Sequence, residues 1–165
     1  MKTFFTKGLL LAGVALSLPI LCARADEARP AVAQKALEKA PLTITDRQGR
    51  KHDFTVEIAK TEKEKEAGET LRASVPEGTG MLFLFTPPEA AAMWMRDTPA
   101  SLDMVFIAPD GHIQAIAEKT VPFSERRLTG DGESAAVLEV AAGTMEKTGI
   151  VVGDVVSSKA LPTVR

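Results

Sequence analysis

From residue 42 onward, short apolar runs alternate with polar turns, and most of the runs have the period of strands. Residues 42–45 (LTIT) read as a short strand and 46–51 (DRQGRK) as a turn around Gly49. Residues 52–58 (HDFTVEI) alternate, putting Phe54, Val56 and Ile58 on one face, so they pair back on the first strand as a hairpin. Thr61 followed three residues later by Glu64 matches a capping box, which predicts a short, mostly solvated helix ending at Gly68. Residues 80–85 (GMLFLF) are almost unbroken apolar, the mark of a strand buried on both faces. Residues 86–89 (TPPE) read as a turn, 91–96 as a strand and 104–108 (MVFIA) as a second buried strand. Pro109-Asp110-Gly111 makes a tight turn, and 112–119 return with Ile113, Ala115 and Ala117 on one face. Residues 135–141 (AAVLEVA) are a strand interrupted by Glu139. A helix of one or two turns then opens at Gly143 or Thr144 and stops near Gly149. Residues 150–156 turn at Gly153-Asp154 into a last strand. The sum predicts an α+β domain: a mainly antiparallel, strongly curved sheet or small barrel with two short helices.

The first 25 residues carry a different pattern. Lys2 and Lys7 stand around the start, residues 8–21 are uncharged and apolar, and Ala23-Arg24-Ala25 supplies small residues at the cleavage positions. This predicts a secretory signal peptide cut after Ala25, and a periplasmic or secreted protein. The apolar run is shorter than the roughly 20 residues of a membrane span. The alternatives are an uncleaved anchor and a lipid on Cys22, against which the bulky Leu21 argues. Residues 26–40, rich in alanine and charge, read as a flexible tether, 41–160 as one domain and 161–165 as a tail.

Cleavage changes the chemistry available. Cys22 is the sole cysteine, so the mature chain holds no disulfide, thiol nucleophile or thiolate metal site. Losing Lys2, Lys7 and Arg24 leaves 17 basic residues against 22 acidic ones, a net charge of −5. With no basic patch beyond Arg126-Arg127, neither nucleic acid nor an anionic membrane surface is an expected partner. No phosphate loop, nucleophile elbow or zinc-protease motif occurs, and no cofactor or resident metal is read from the chain. His52 and His112 fall on polar strand faces, and tyrosine and asparagine are absent.

The remaining candidates are carboxylates, arginines and one indole. Asp103 stands at the mouth of a buried strand and Glu139 inside another, where an ionised group costs several kcal/mol unless paired or hydrated. Each is satisfied either by a partner such as Arg72 or Arg96, by backbone N–H groups, or by a wet pocket. The Glu-rich helix after Thr61 carries no comparable signal. Trp94 is amphipathic, suited to a core or to a pocket wall. The 13-residue segment 122–134 is long for a connector, and long loops are often functional.

Four pieces in order, GMLFLF, MWMRDTPASLDMVFIAPDG, Pro122 and VLEVAAGTMEKTGIVVGDVV, resemble the bacterial and archaeal domain of unknown function 192 family. The matching positions are Trp94-Met95-Arg96-Asp97-Thr98, Leu102-Asp103, Pro122, Leu138-Glu139, Gly149-Ile150 and Gly153-Asp154. Arg96 stands where the family usually has lysine and Asp97 where it has asparagine. Arg72 follows from a looser Gly-Leu-Met-x-Arg pattern. The resemblance runs from about residue 58 to 156. It implies a small mixed fold, frequent export or membrane tethering, and no established activity.

The expected function is an exported module that binds a small polar ligand or a peptide in a pocket lined by Arg72, Trp94, Arg96, Asp97, Asp103 and Glu139. Two alternatives stay open. One is a hydrolase of envelope glycans using Asp103 and Glu139 as acid and base. The other is a divalent-cation site from Asp97, Asp103 and Glu139, or a purely structural partner protein.

Overall fold

The computed structural model describes residues 32–161, so the predicted signal peptide, most of the tether's first half and the end of the tail lie outside the described residues. Nine strands and two helices occur among them: β1 (Lys39–Thr45), β2 (Lys51–Ala59), α1 (Glu62–Ala67), β3 (Thr79–Glu89), β4 (Ala92–Met93), β5 (Leu102–Ile107), β6 (Ile113–Ala117), β7 (Leu128–Thr129), β8 (Ser134–Ala141), α2 (Thr144–Thr148) and β9 (Val155–Ser157). Seven strands form one sheet in the order β6-β5-β8-β3-β2-β1-β9, while β4 and β7 pair separately. The sheet curls until its two edges meet. His112, just before β6, bridges to Val155 of β9, and the Ile113 N–H donates to the Asp154 carbonyl at 2.9 Å.

The curl and the two short helices match the expected α+β architecture. The sheet is mainly antiparallel, as expected, but not purely so, because β2 and β3 run parallel. A parallel pair needs a crossover connection, and α1 with the loop behind it supplies one. Its cap is built as the sequence implies. The Thr61 hydroxyl accepts from the Glu64 N–H at 3.2 Å, and the Glu64 carboxylate accepts from the Thr61 N–H at 2.8 Å.

Two apolar clusters lie on the two faces of the sheet. The inner one draws on every strand of the curl, with Leu42, Val56, Leu82, Val105, Ile113, Leu138 and Val156, and Met145 of α2 joins it. The outer one packs Met81, Phe83, Phe85, Met104, Phe106 and Val137 under the segment that carries Ala91, Met95 and Ala100. Strands β3, β5 and β8 therefore bury both faces, which explains their unbroken apolar runs. All six residues of β5 are buried. Gly80 fits this packing for a steric reason: a Cβ there would stand 2.2 Å from the Glu139 carbonyl oxygen.

Several boundaries differ from the sequence reading. β1 begins at Lys39, inside the expected tether, and the Leu37 N–H already donates to Glu57 at 2.8 Å. The expected turn at 86–89 is instead the continuation of β3, with a cis Thr86–Pro87 bond. The expected strand 91–96 shrinks to two residues, because the chain turns through Asp97 at φ 54°. That left-handed conformation suits Asp, Asn or Gly. Segment 122–134 is not a free loop. It contains β7 and runs along the 94–98 segment, with the Met95 N–H donating to the Ser124 carbonyl at 2.9 Å.

Asp103 ties this fold together. It is fully buried on the inner face. One carboxylate oxygen accepts the Lys119 N–H at 2.8 Å and the other the Met145 N–H at 2.9 Å, so the acid docks the first turn of α2. Removing it strands two backbone donors, each worth about 1–3 kcal/mol when buried without a partner. Asp103→Ala is expected to lower unfolding free energy by about 2–5 kcal/mol. Asp97→Ala should cost about 1–2 kcal/mol for a left-handed alanine. Chemical denaturation of both variants checks the order, and equal losses would contradict the docking role.

Candidate functional site

Strand pairing decides which of the candidate residues can meet. Glu139 of β8 sits opposite Met81 of β3 and Met104 of β5. Directly paired residues share a face, so Glu139 projects into the outer cluster. Asp103 sits opposite Val140 and projects into the inner one. The two acids leave opposite faces of one sheet. They cannot flank a single glycosidic bond, and the acid–base pair expected of a glycan hydrolase is not assembled. The same geometry dissolves the three-acid cation site of Asp97, Asp103 and Glu139. Among the described residues no group of three or more His, Cys, Asp or Glu could hold a metal ion.

A pocket of about 170 Å³ opens over the outer face. Glu139 lines it from β8, and Phe83 and Phe85 from β3. Trp94, Arg96 and Thr98 come from the segment after β4, and α1 closes the remaining side. Trp94, Arg96 and Glu139 are thus brought together. The indole is flanked by cations: the guanidinium carbon of Arg96 lies 4.9 Å and that of Arg127 5.1 Å from the ring centroid. Lys65 of α1 lies over Phe85 at 4.8 Å and pairs with Glu62 at 2.6 Å. Arg96 also faces Glu125 at 3.7 Å.

Arg72 serves the pocket indirectly. Its guanidinium forks onto the two carboxylate oxygens of Glu57 at 3.1 and 2.9 Å and reaches Glu69 at 3.3 Å. Glu69 borders the pocket on one side. On its other side is a smaller hollow of about 120 Å³ lined by Arg72 and Glu57. Burial pushes the Glu69 carboxyl above its ordinary range, because the charge of Arg72 only partly offsets it and Glu57 adds repulsion. Burial acts on Glu57 as well, but there the Arg72 fork and the Leu37 N–H win and hold the carboxyl low. Asp97 is not part of the pocket lining. Its carbonyl accepts the Leu71 N–H at 2.9 Å, which fixes the rim.

Glu139 differs from all of these. It is 4% exposed, and no described residue hydrogen-bonds to its carboxyl. Burial, then repulsion from Glu69, pushes its pKa well above 4.5 and favours the protonated carboxyl. A neutral carboxyl both donates and accepts a hydrogen bond. In its protonated form Glu139 therefore presents a donor and an acceptor, unused among the described residues, to a partly aromatic pocket.

Comparison with known proteins identifies the family and the fold. The family described as domain of unknown function 192, uncharacterized ACR, matches residues 43–158. The chain belongs to the DUF192 family. A protein of Sinorhizobium meliloti 1021, provisionally described as a transcription regulator, has a similar structure at a TM-score of 0.75 and 37% identity. That match covers 78% of this chain and 99% of the other. A protein of unknown function from Novosphingobium aromaticivorans DSM 12444 matches at a TM-score of 0.71 and 36% identity, covering 77% and 94%. No curated protein matches.

Within this DUF192 chain the sequence reading missed Glu69, whose charge acts on Glu139, and the acids of α1 that line the same pocket. Glu69 follows the helix stop at Gly68 and stands three residues before Arg72, an ion-pair spacing that could have flagged it. The Glu-rich helix, set aside as uninformative, supplies Glu62, Lys65 and Glu66 to the wall. No residue of α1 is buried, so the sequence shows only a solvated helix. An unpartnered acid in an apolar wall costs stability. Glu139→Leu is therefore expected to raise unfolding free energy at neutral pH by about 1–3 kcal/mol. The folded state keeps a proton that the unfolded chain releases, so Glu139 makes stability fall as pH rises from about 4.5 toward its raised folded value. Glu139→Gln should flatten that fall. Melting curves of the wild type and both variants from pH 4 upward check this, and a destabilised Leu variant would mark the carboxyl as structural.

Proposed function

We propose that this DUF192 chain is a binding module and that the pocket over the outer face receives a small polar group, carried by a free ligand or by a peptide. The observation that carries the proposal is the buried Glu139 carboxyl at the pocket floor, unpartnered among the described residues. A buried polar group without a partner is costly, and a ligand that hydrogen-bonds to it recovers that cost. Trp94 and Arg96 serve as the side wall. Arg72 acts through Glu69, holding the loop after α1 in place. The pocket is smaller than the roughly 300–1,000 Å³ of drug-sized sites, which suits a side chain or head group better than a whole glycan.

Export is part of the same proposal and rests on the sequence of residues 1–25, which makes the module periplasmic or secreted. The role named for the Sinorhizobium meliloti relative finds no support in this chain's charge. The full sequence carries a formal −2, and nucleic-acid binding rests on clustered positive charge.

Trp94 is the only tryptophan of the chain, so its emission reports on this pocket alone. A screen of sugars, cell-wall fragments, peptides and divalent ions is expected to yield a compound that both shifts Trp94 emission and raises the melting temperature. At one hundred times its Kd such a ligand adds about 2.7 kcal/mol of stability. A stabilising compound that leaves Trp94 emission unchanged in every case would place binding elsewhere and refute the proposal.

A further inference from the structure

We infer that the pocket floor is built for an organic cation, a primary ammonium or guanidinium group that passes between Trp94 and Phe85 and ends on the Glu139 carboxyl. The inference rests on the binding reading above and names the chemistry of what is bound.

Three observations favour a cation over a neutral or anionic group. First, five carboxyl groups line the pocket against two cationic side chains, Lys65 and Arg96. Second, neither of those cations hydrogen-bonds to Glu139. Lys65 pairs with Glu62 at 2.6 Å, while Arg96 stacks on Trp94 and lies 3.7 Å from Glu125, its Nε buried without a hydrogen-bond partner. Arg72 is spent on Glu57 and Glu69, and Arg127 stacks on Trp94. Of the acids lining the pocket, Glu139 is left buried without a hydrogen-bonded counter-charge among the described residues. Third, the walls are aromatic faces, which attract cations, and the chain shows this itself where Lys65 lies over Phe85.

The groups around Glu139 set how binding responds to pH. Its strand neighbours Met81 and Met104 carry no charge. Around the pocket, α1 contributes Glu62, Lys65 and Glu66. The loop after it contributes Glu69, backed by Arg72, and the far wall contributes Glu89 and Arg96, with Glu125 beside Arg96 and Arg127 over Trp94. Without a cation beside it, burial and Glu69 favour the protonated form of Glu139. An arriving cation favours the carboxylate, so the O–H proton passes to solvent as the ion pair forms. Binding therefore releases up to one proton, and affinity falls as the solution is acidified.

Isothermal titration of the full chain, run in two buffers of different ionisation enthalpy and paired with Trp94 emission, tests this. The probes are agmatine and butylamine as free cations, Nα-acetyl-lysine methylamide as a peptide-borne one, the neutral isostere Nα-acetyl-norleucine methylamide, and butyrate as an anion. The lysine derivative is expected to bind at least tenfold more tightly than its neutral isostere, with a heat that depends on the buffer. Glu139→Gln should bring the pair within about twofold and remove the buffer dependence. The more stable Glu139→Leu should lose the cation while remaining folded. Tighter binding of the peptide-borne lysine than of agmatine assigns the cation to a side chain, and the reverse order assigns it to a free amine. Equal binding of charged and neutral probes, or preference for butyrate, overturns the cation assignment and leaves the binding module standing. Silence of Trp94 toward every probe class counts against the binding reading itself.

Discussion

Strand β8 is squeezed between two cores, and the placement of its side chains governs everything else in this molecule. Its neighbours β3 and β5 are buried on both faces as well, so no position in the middle of the sheet has solvent to turn to. Six of the central β8 residues are small or aliphatic and accept this. The seventh, Glu139, must enter the outer cluster whatever it costs. Gly80 lets the two backbones approach so closely at that point that a side chain there would strike the Glu139 carbonyl.

The two acids at the heart of the sheet illustrate how the same residue type takes opposite roles. Asp103 meets two backbone N–H groups and becomes a fastener between the sheet, the turn at Lys119 and α2. Glu139 meets methionine and phenylalanine side chains and stays uncompensated. The difference comes from what covers each face. A helix terminus, with its free N–H groups, lies over the inner face at Asp103. Beside Glu139 lies a side-chain wall whose donors, Lys65, Trp94 and Arg96 among them, make no hydrogen bond to it. The Arg72 fork shows that the chain is able to neutralise buried acids when it needs to, since Glu57 receives two hydrogen bonds from one guanidinium.

Much of the fold was legible in the residues. GMLFLF and MVFIA announced strands with no polar face, the Thr61/Glu64 pair announced a capped helix, and Gly68 and Gly149 marked helix ends that the structure keeps. The parallel pairing of β2 with β3 was not legible, because a six-residue helix gives little hint of a crossover. The site was half legible. Parity along one strand follows from sequence, but whether Asp103 and Glu139 share a face depends on register between strands, which local pattern does not encode. The acids and lysine of α1 were hidden for a different reason. They are solvated on their own helix and acquire meaning only where the chain brings Phe85 and Trp94 up against them.

The meeting of β6 and β9 carries a consequence beyond shape. A curled sheet with open sides would present rows of unpaired amides, a template on which a second chain could lengthen the sheet. Here the outermost strands spend part of those groups on one another, where Val156 N–H donates to the Gly111 carbonyl at 2.8 Å and Gly153 N–H to the Ile113 carbonyl at 2.8 Å. The seam thus works as a guard against fibrous self-association.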